Sequence, residues 1–328
     1  MDVPELRWGV VGCGIISNEM AGALAAQGRH IDAVANRTHA KALDYAARHG
    51  VPKVYETADE LFADADIDAV YITTPHNTHI RYLRAALAAG KHVVCEKSIT
   101  LNTAELDESI ALARDNDVIL MDACTILHMP LYKELRRRML AGDFGRVNIV
   151  QNNFGSYKEL DANNRFFNPN LAGGAMLDIG IYALTAARLF LASAPDQMHS
   201  LMTPAFTGTD DLSGMVMRNA EGQIATITLS MHSKQPKRAL VSCDKCYVEI
   251  DEYPRADSAR IVWTDDGRVE EVRAGQRDKA LAYVLADMEA AVAGDKSLAE
   301  FQLAVSRDVM ALMTDARYSW DFYYPEER

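Results

Sequence analysis

The sequence predicts a two-domain α/β protein. Residues 1–123 are expected to form a doubly wound parallel sheet, and residues 124–328 an α+β domain on a large, mostly antiparallel sheet with one open face. Three observations carry this expectation. A chain of 328 residues exceeds what one hydrophobic core usually organises. Early in the chain, short apolar runs alternate with helical patterns, several closed by glycine, in the order a doubly wound sheet demands. Later, the pattern changes to period-two alternation, clearest at Thr226-Ile227-Thr228-Leu229-Ser230-Met231.

Residues 7–11 read as the first strand, running into Gly12-Cys13-Gly14-Ile15-Ile16-Ser17 and then a helix over 18–27 that stops at Gly28. Strand, glycine loop and helix are the setting of a GxGxx(G/A) dinucleotide fingerprint. Gly12 permits the tight turn, Gly14 lets the backbone approach a pyrophosphate, and Ile15 and Ile16 open a helix whose free N–H groups face the anion. Ser17 stands where a third glycine is common, so the motif is incomplete and a chance glycine turn competes with it. The elements that follow favour the fingerprint. Strands over 31–35, 68–73, 92–96 and 118–122, with helices over 40–49, 78–89 and 101–115, complete a Rossmann sheet.

Cofactor choice is read at the end of the second strand. An acid there binds a ribose 2′-hydroxyl, whereas an arginine accommodates a 2′-phosphate. This chain has Asn36-Arg37-Thr38 with Lys41 one turn on, and Asp32 lies at the wrong end of the strand, so NADP is expected over NAD. Two further loops leave the carboxyl ends of strands, where ligands of such sheets lie. They bring Thr74, Pro75, His76 and His79, then Glu96 and Lys97, to the cofactor crevice. His76 and His79 have no third metal ligand in reach; hydrogen bonding to the cofactor, or helix capping by Asn77 or Thr78, suits them better.

In the second domain, a helix over 130–141 is stopped by Gly142, and strands are expected over 146–154, 226–231, 238–243, 247–251, 260–264 and 268–272. Helices over 279–293 and 299–318 follow. The stretch Gly173 to Arg188, GGAMLDIGIYALTAAR, begins a buried helix just after Gly174, with Asp178 and Tyr182 four apart on one face. Such a pair makes either a structural hydrogen bond or half of a proton-transfer site. Arg165, just upstream, either reaches cofactor or substrate or is a solvated charge. Phe154 and Tyr157 either wall a pocket or belong to the core.

Composition excludes several classes. A net charge of −12 argues against nucleic acid or an anionic membrane as partner, and no apolar run is long enough to span a bilayer. Residues 1–7 lack the character of a signal peptide, which places the protein in the cytoplasm. Five cysteines fit a reducing compartment, and Cys243 and Cys246 suit a strand-turn position better than zinc. No metal is expected.

These motifs resemble the glucose-fructose oxidoreductase, inositol dehydrogenase and rhizopine-catabolism family (Gfo/Idh/MocA), most of all its dihydrodiol dehydrogenase and D-xylose dehydrogenase branch. The likeness is carried by GCGIIS at 12–17, VANRTHAKA at 34–42, TTPHNTH at 73–79, CEKS at 95–98, LMDA at 120–123, GGAMLDIGIYAL at 173–184 and SWDFYYPEE at 319–327. The resemblance implies Lys97 and Tyr182 as the proton-transfer pair, Asp178 beside them, and a homodimer, or a dimer of dimers, through the open sheet face. Two departures stand out. Ser98 replaces the family's proline, and 124–130 lacks the branch's Trp-x-Arg, so the branch's substrate is not to be assumed.

The chemistry is coherent by itself. Oxidising a carbinol needs a base as hydride leaves carbon, and reduction needs the same group as an acid. A tyrosine near its ordinary pKa of ~10 is a poor base, and a nearby ammonium favours phenolate. The expected function is hydride transfer between NADP and a carbinol or carbonyl of a polyhydroxylated ring: a sugar, cyclitol or trans-dihydrodiol, in either direction. A non-catalytic NADP-sensing regulator is the alternative from another class.

Overall fold

The structure is a computed structural model describing residues 5–328, and it separates into two compact units. In the first, six parallel strands stand in the order β3-β2-β1-β4-β5-β6: β1 (Trp8–Val11), β2 (Ala33–Ala35), β3 (Lys53–Tyr55), β4 (Ala69–Ile72), β5 (His92–Cys95) and β6 (Leu120–Asp122). The connecting helices are α1 (Ile15–Ala25), α2 (His39–His49), α3 (Ala58–Ala63), α4 (His79–Ala88) and α5 (Thr103–Asp115). β1 and β4 are buried throughout, as strands covered on both faces must be. The chain builds outward from β1 to β3, then returns to place β4 on the other side of β1, which makes the β1/β4 junction the switch point of the sheet.

Two elements here have no counterpart among the expected ones. β3 is a three-residue edge strand with partly exposed side chains, too short to show a period. α3 is set by a capping box, in which Thr57 Oγ1 accepts from Glu60 N at 3.2 Å while Glu60 Oε2 accepts from Thr57 N at 3.2 Å.

The second unit holds α6 (Pro130–Leu140), α7 (Ile181–Phe190) and an eight-stranded sheet. Its strands are β7 (Val147–Gly155), β8 (Gln197–Pro204), β9 (Asp210–Arg218), β10 (Ile224–Ser230), β11 (Arg238–Cys243), β12 (Cys246–Asp251), β13 (Ser258–Trp263) and β14 (Val269–Arg273). They lie in the order β14-β13-β12-β11-β7-β10-β9-β8, antiparallel except for the parallel β7/β10 pair. α7 covers one face, where Asn152 Nδ2 donates to Ala183 O at 2.7 Å. The alternate residues Ile149, Leu201, Leu212, Val216, Ile224 and Tyr247 are exposed on the other. β8 and β9 escaped the sequence reading because β8 is solvated along its length and β9 opens with two aspartates.

The helices α8 (Ala280–Val292) and α9 (Ser297–Ser319) correct the expected domain boundary. Residues 281–304 pack into the first unit rather than the second, and the division falls within α9. Leu281, Val284, Leu285, Met288 and Ala291 join one core cluster with Trp8, Met20, Tyr71 and Val94, and Arg29 Nη2 reaches Glu289 Oε1 at 2.6 Å. Helical periodicity reveals an apolar face; it does not say which core that face will cover.

Truncating Leu285 to alanine is expected to lower the stability of the first unit by about 2–5 kcal/mol in urea denaturation. An unchanged midpoint would show that α8 does not close this core.

Candidate active site

At the end of β1 the backbone turns through Gly12 at φ +104, where a Cβ would lie 2.7 Å from Thr73 Oγ1 at the end of β4. Gly12 N donates to Ala35 O at 2.9 Å and Thr73 Oγ1 donates to Val11 O at 3.2 Å, so the turn is locked to both neighbouring strands. Gly14 differs. It caps α1 in extended conformation, and a Cβ there would meet nothing within 4 Å. The glycine therefore leaves open space over bare backbone. Beside it, Ile15 is an apolar side chain 91% exposed, while Ile16 packs partly on the core. No acidic side chain occupies the first turn of α1. These features fit a dinucleotide whose pyrophosphate rests on Gly14 and the α1 N-terminus. Ser17, in place of the third glycine, is fully buried and tied down: its Oγ donates to Gly14 O at 2.8 Å and its carbonyl accepts Tyr45 Oη at 2.6 Å.

After β2, Asn36 Nδ2 donates to Thr38 O at 3.0 Å and shapes the loop. Arg37, Thr38 and Lys41 are exposed, and among the described residues no ion pair engages Arg37 or Lys41.

The histidines expected to touch cofactor hydrogen-bond to backbone carbonyls. His76 Nε2 lies 3.0 Å from Lys97 O. His79, fully buried, has Nε2 at 2.8 Å from Thr74 O and Nδ1 at 3.0 Å from Ser98 O and 3.3 Å from Ile99 O. Burial pulls its pKa below the usual imidazole range, while the surrounding carbonyls oppose that shift. The two rings thus hold the lysine loop through its backbone. The Lys97–Ser98 peptide within it is cis. Capping of α4 by Thr78 is also corrected: its hydroxyl donates instead to Thr74 Oγ1 at 2.8 Å and Pro75 O at 2.7 Å. Pro75 precedes the short helical turn His76–Thr78. Tyr71 Oη donates to Glu96 Oε1, and burial pushes the Glu96 carboxyl up to about 7.

In the second unit, the expected helix begins with one π-turn, Met176–Gly180, before α7. A Cβ on Gly180 would lie 2.9 Å from Leu229 Cδ1 and 3.0 Å from Met176 Sδ, so this turn is packed tightly on the sheet. Such single π-turns occur frequently at functional sites. Asp178 sits in the π-turn and Tyr182 in the first turn of α7, about one turn apart. Asp178 is 9% exposed, with Arg165 Nη2 at 3.4 Å from its Oδ1. Arg165 is exposed and stacks 4.1 Å above the Phe166 ring. The Tyr182 ring lies 6.1 Å from buried Phe154, whereas Tyr157 is exposed and pairs with His232 at 5.2 Å. A carboxylate braced by a guanidinium, one turn from a partly buried phenol, can orient a substrate hydroxyl and exchange its proton.

Sequence reasoning missed Asp210 and Tyr324. Asp210 Oδ2 accepts from Met176 N at 2.6 Å, and Tyr324 Oη donates to Gly173 O at 2.9 Å. Neither belongs to a local pattern with 173–182, so no spacing rule could have joined them.

Among the described residues, no group of three or more His, Cys, Asp or Glu side chains could hold a metal ion, and no helix is long and apolar enough to cross a membrane.

A doubly wound sheet with a bare glycine at its switch point, in one chain with a helix presenting carboxylate and phenol, defines a nicotinamide-dependent oxidoreductase. The chain belongs to the GFO/IDH/MocA oxidoreductase family: residues 6–123 match its NAD-binding Rossmann fold, and residues 132–249 match the GFO/IDH/MocA C-terminal domain. It is 32% identical over 249 residues, 75% of this chain and 74% of the relative, to trans-1,2-dihydrobenzene-1,2-diol dehydrogenase from Mus musculus. The Homo sapiens protein of that name is likewise 32% identical over 249 residues. A 3-ketoreductase from Actinomadura kijaniata, solved with NADP and TDP-benzene, shares the fold at TM-score 0.83 and 22% identity, covering 96% of this chain and 98% of that one. UDP-N-acetylglucosamine 3-dehydrogenase from Acidithiobacillus ferrooxidans does so at 0.81 and 23%, covering 96% and 97%. The family makes this chain an enzyme, which sets aside the regulator alternative.

Gly14→Ala is expected to leave the melting temperature unchanged, because its backbone suits alanine and its Cβ meets no atom. Dinucleotide affinity measured by calorimetry should fall at least ~10-fold, on the scale of one lost close contact to a charged group. Unchanged affinity would remove Gly14 from the cofactor site.

Proposed function

We propose that the enzyme is an NADP-dependent dehydrogenase/reductase that transfers hydride between the nicotinamide and a carbinol or carbonyl of a polyhydroxylated ring. The observation that carries this reading is the lysine loop. Lys97 leaves the carboxyl end of β5, at the ligand side of the sheet, and the backbone of its loop is held by two histidines, His76 at Lys97 O and His79 at Ser98 O and Ile99 O. A surface lysine has no need of such bracing.

When bound, the cofactor supplies or accepts the hydride. Gly12, Gly14, Ile15 and Ile16 form its pyrophosphate loop; Thr74, Pro75 and Glu96 line its nicotinamide side. Asn36, Arg37 and Thr38 take the ribose phosphate, and the exposed Arg37, engaged by no ion pair among the described residues, supports NADP over NAD. Tyr182 accepts the hydroxyl proton during oxidation and returns it during reduction. Lys97 favours the phenolate electrostatically, and Asp178, braced by Arg165, orients the substrate hydroxyl. The substrate class is supported by the relatives' names: a dihydrodiol dehydrogenase among sequences, and enzymes named for ketone and nucleotide-sugar chemistry among structures of the same fold. Two copies pair through the open sheet face, a reading supported by its exposed Leu201, Leu212, Val216 and Ile224. A cytoplasmic location is supported by five free cysteines.

A panel of sugars, inositols and trans-dihydrodiols, assayed with both cofactors, tests this directly. Tyr182→Phe and Lys97→Ala should each reduce turnover at least ~100-fold, the scale of general acid-base catalysis. Near-normal rates in both would end the proton-transfer assignment, and a tenfold preference for NAD would end that of Arg37. Light scattering should find a dimer at micromolar concentration; a monomer would refute the pairing.

A further inference from the structure

The turn that launches the Asp178 and Tyr182 segment is gripped from two sides by residues far away in sequence. Gly174, at φ +127, has no room for a side chain: a Cβ would lie 2.0 Å from Asp210 Oδ1 and 3.4 Å from Tyr324 Oη. Asp210, at the start of β9, is fully buried. Its Oδ2 accepts from Met176 N at 2.6 Å, and its Oδ1 has no hydrogen-bond partner among the described residues. A buried carboxyl with an oxygen unsatisfied is costly, so a merely architectural role would be filled better by an apolar side chain.

On the other side, Tyr324 is fully buried and its hydroxyl donates to Gly173 O at 2.9 Å. Tyr324 is itself anchored. Its N donates to Glu327 Oε2 at 2.8 Å, and the same carboxylate accepts Arg317 Nη1 and Nη2 at 2.7 and 2.8 Å. The Arg317 guanidinium, fully buried, lies 4.7 Å above the Tyr324 ring. A buried, two-bond ion pair is geometrically strict and gives little net stability. What it supplies is a fixed location for the Tyr324 hydroxyl.

We infer that Asp210 and Tyr324 are positioning residues for the reaction, clamping the Gly173 to Met176 turn and so setting where Asp178 and Tyr182 project. The inference rests on the roles proposed above for those two residues. It makes the C-terminal tail, through Arg317, Tyr324 and Glu327, part of the support of the reactive segment.

Tyr324→Phe removes one hydroxyl and leaves the ring on Arg317, so it is the deciding variant; Asp210→Leu and Asp210→Asn accompany it, with Tyr182→Phe as reference. Amide hydrogen exchange over residues 173–182 should quicken in Tyr324→Phe and Asp210→Leu. Their kcat should fall about 10- to 100-fold, the scale of an ångström-size misplacement. NADP affinity should stay within about twofold, the cofactor loops being remote in sequence and in the other unit. Asp210→Asn, which retains an acceptor for Met176 N–H, should recover kcat to within about fivefold of the parent, less than one charge-assisted hydrogen bond. Unchanged exchange in Tyr324→Phe would overturn the clamp. Faster exchange with unchanged kcat, while Tyr182→Phe loses turnover, would overturn its positioning role. Normal turnover in both tyrosine variants would overturn the inference through the catalytic assignment beneath it. If Asp210→Leu does not fold, Tyr324→Phe decides by the same outcomes.

Discussion

Backbone polar groups that leave the ends of secondary structure must find partners in the interior, and this constraint shapes the two segments proposed to react, the lysine loop and the Gly173-Gly174 turn. The lysine loop has left β5 but has not yet entered α5, so its carbonyls have no ladder to join. His76 and His79 meet them. The Gly173-Gly174 turn precedes a helix whose first N–H groups lack intrahelical acceptors; Asp210 accepts from one of them, Met176 N, while Tyr324 donates its hydroxyl to the Gly173 carbonyl. Both solutions use a buried polar side chain bonded to backbone. Each is expensive to desolvate and cannot shift without leaving an unsatisfied group, which is what holds a loop to one conformation.

Charge is arranged to the same end. A chain of net charge −12 nonetheless keeps acidic side chains out of the first turn of α1, and among the described residues no ion pair engages Arg37 or Lys41. The sites expected to receive phosphate are thereby left positive against an acidic background. Where carboxyls are taken inside, as with Glu96 and Asp210, burial raises each to about 7. The buried cation Arg317 is matched by a carboxylate held to it at two points.

Much of this was legible from local pattern. Gly12 and Gly14 were read as a turn and a bare approach, and the structure gives each its own physical ground: contact with Thr73 for one, open space for the other. The parallel strands stood out as apolar runs because burial on both faces leaves no polar period to blur them. Less visible were β3, β8 and β9, whose side chains are partly solvated and whose pairing comes from neighbours distant in the chain. The histidines were singled out for a cofactor; what the structure adds is their hydrogen bonding to the backbone of 97–99, which no spacing rule shows.

By itself, then, the sequence determined what depends on near neighbours: strand and helix periods, the glycine-bearing turns, the arginine after β2, and the lysine, carboxylate and phenol in their local frames. Tertiary structure decided what depends on which surfaces meet. It assigned α8 to the first core, inserted a π-turn where Gly180 packs against Leu229, and brought Asp210 and Tyr324 to one pair of glycines. The reason is that periodicity records only whether a side chain is buried. Which atoms bury it is settled when segments separated by tens or hundreds of residues compete for the same space.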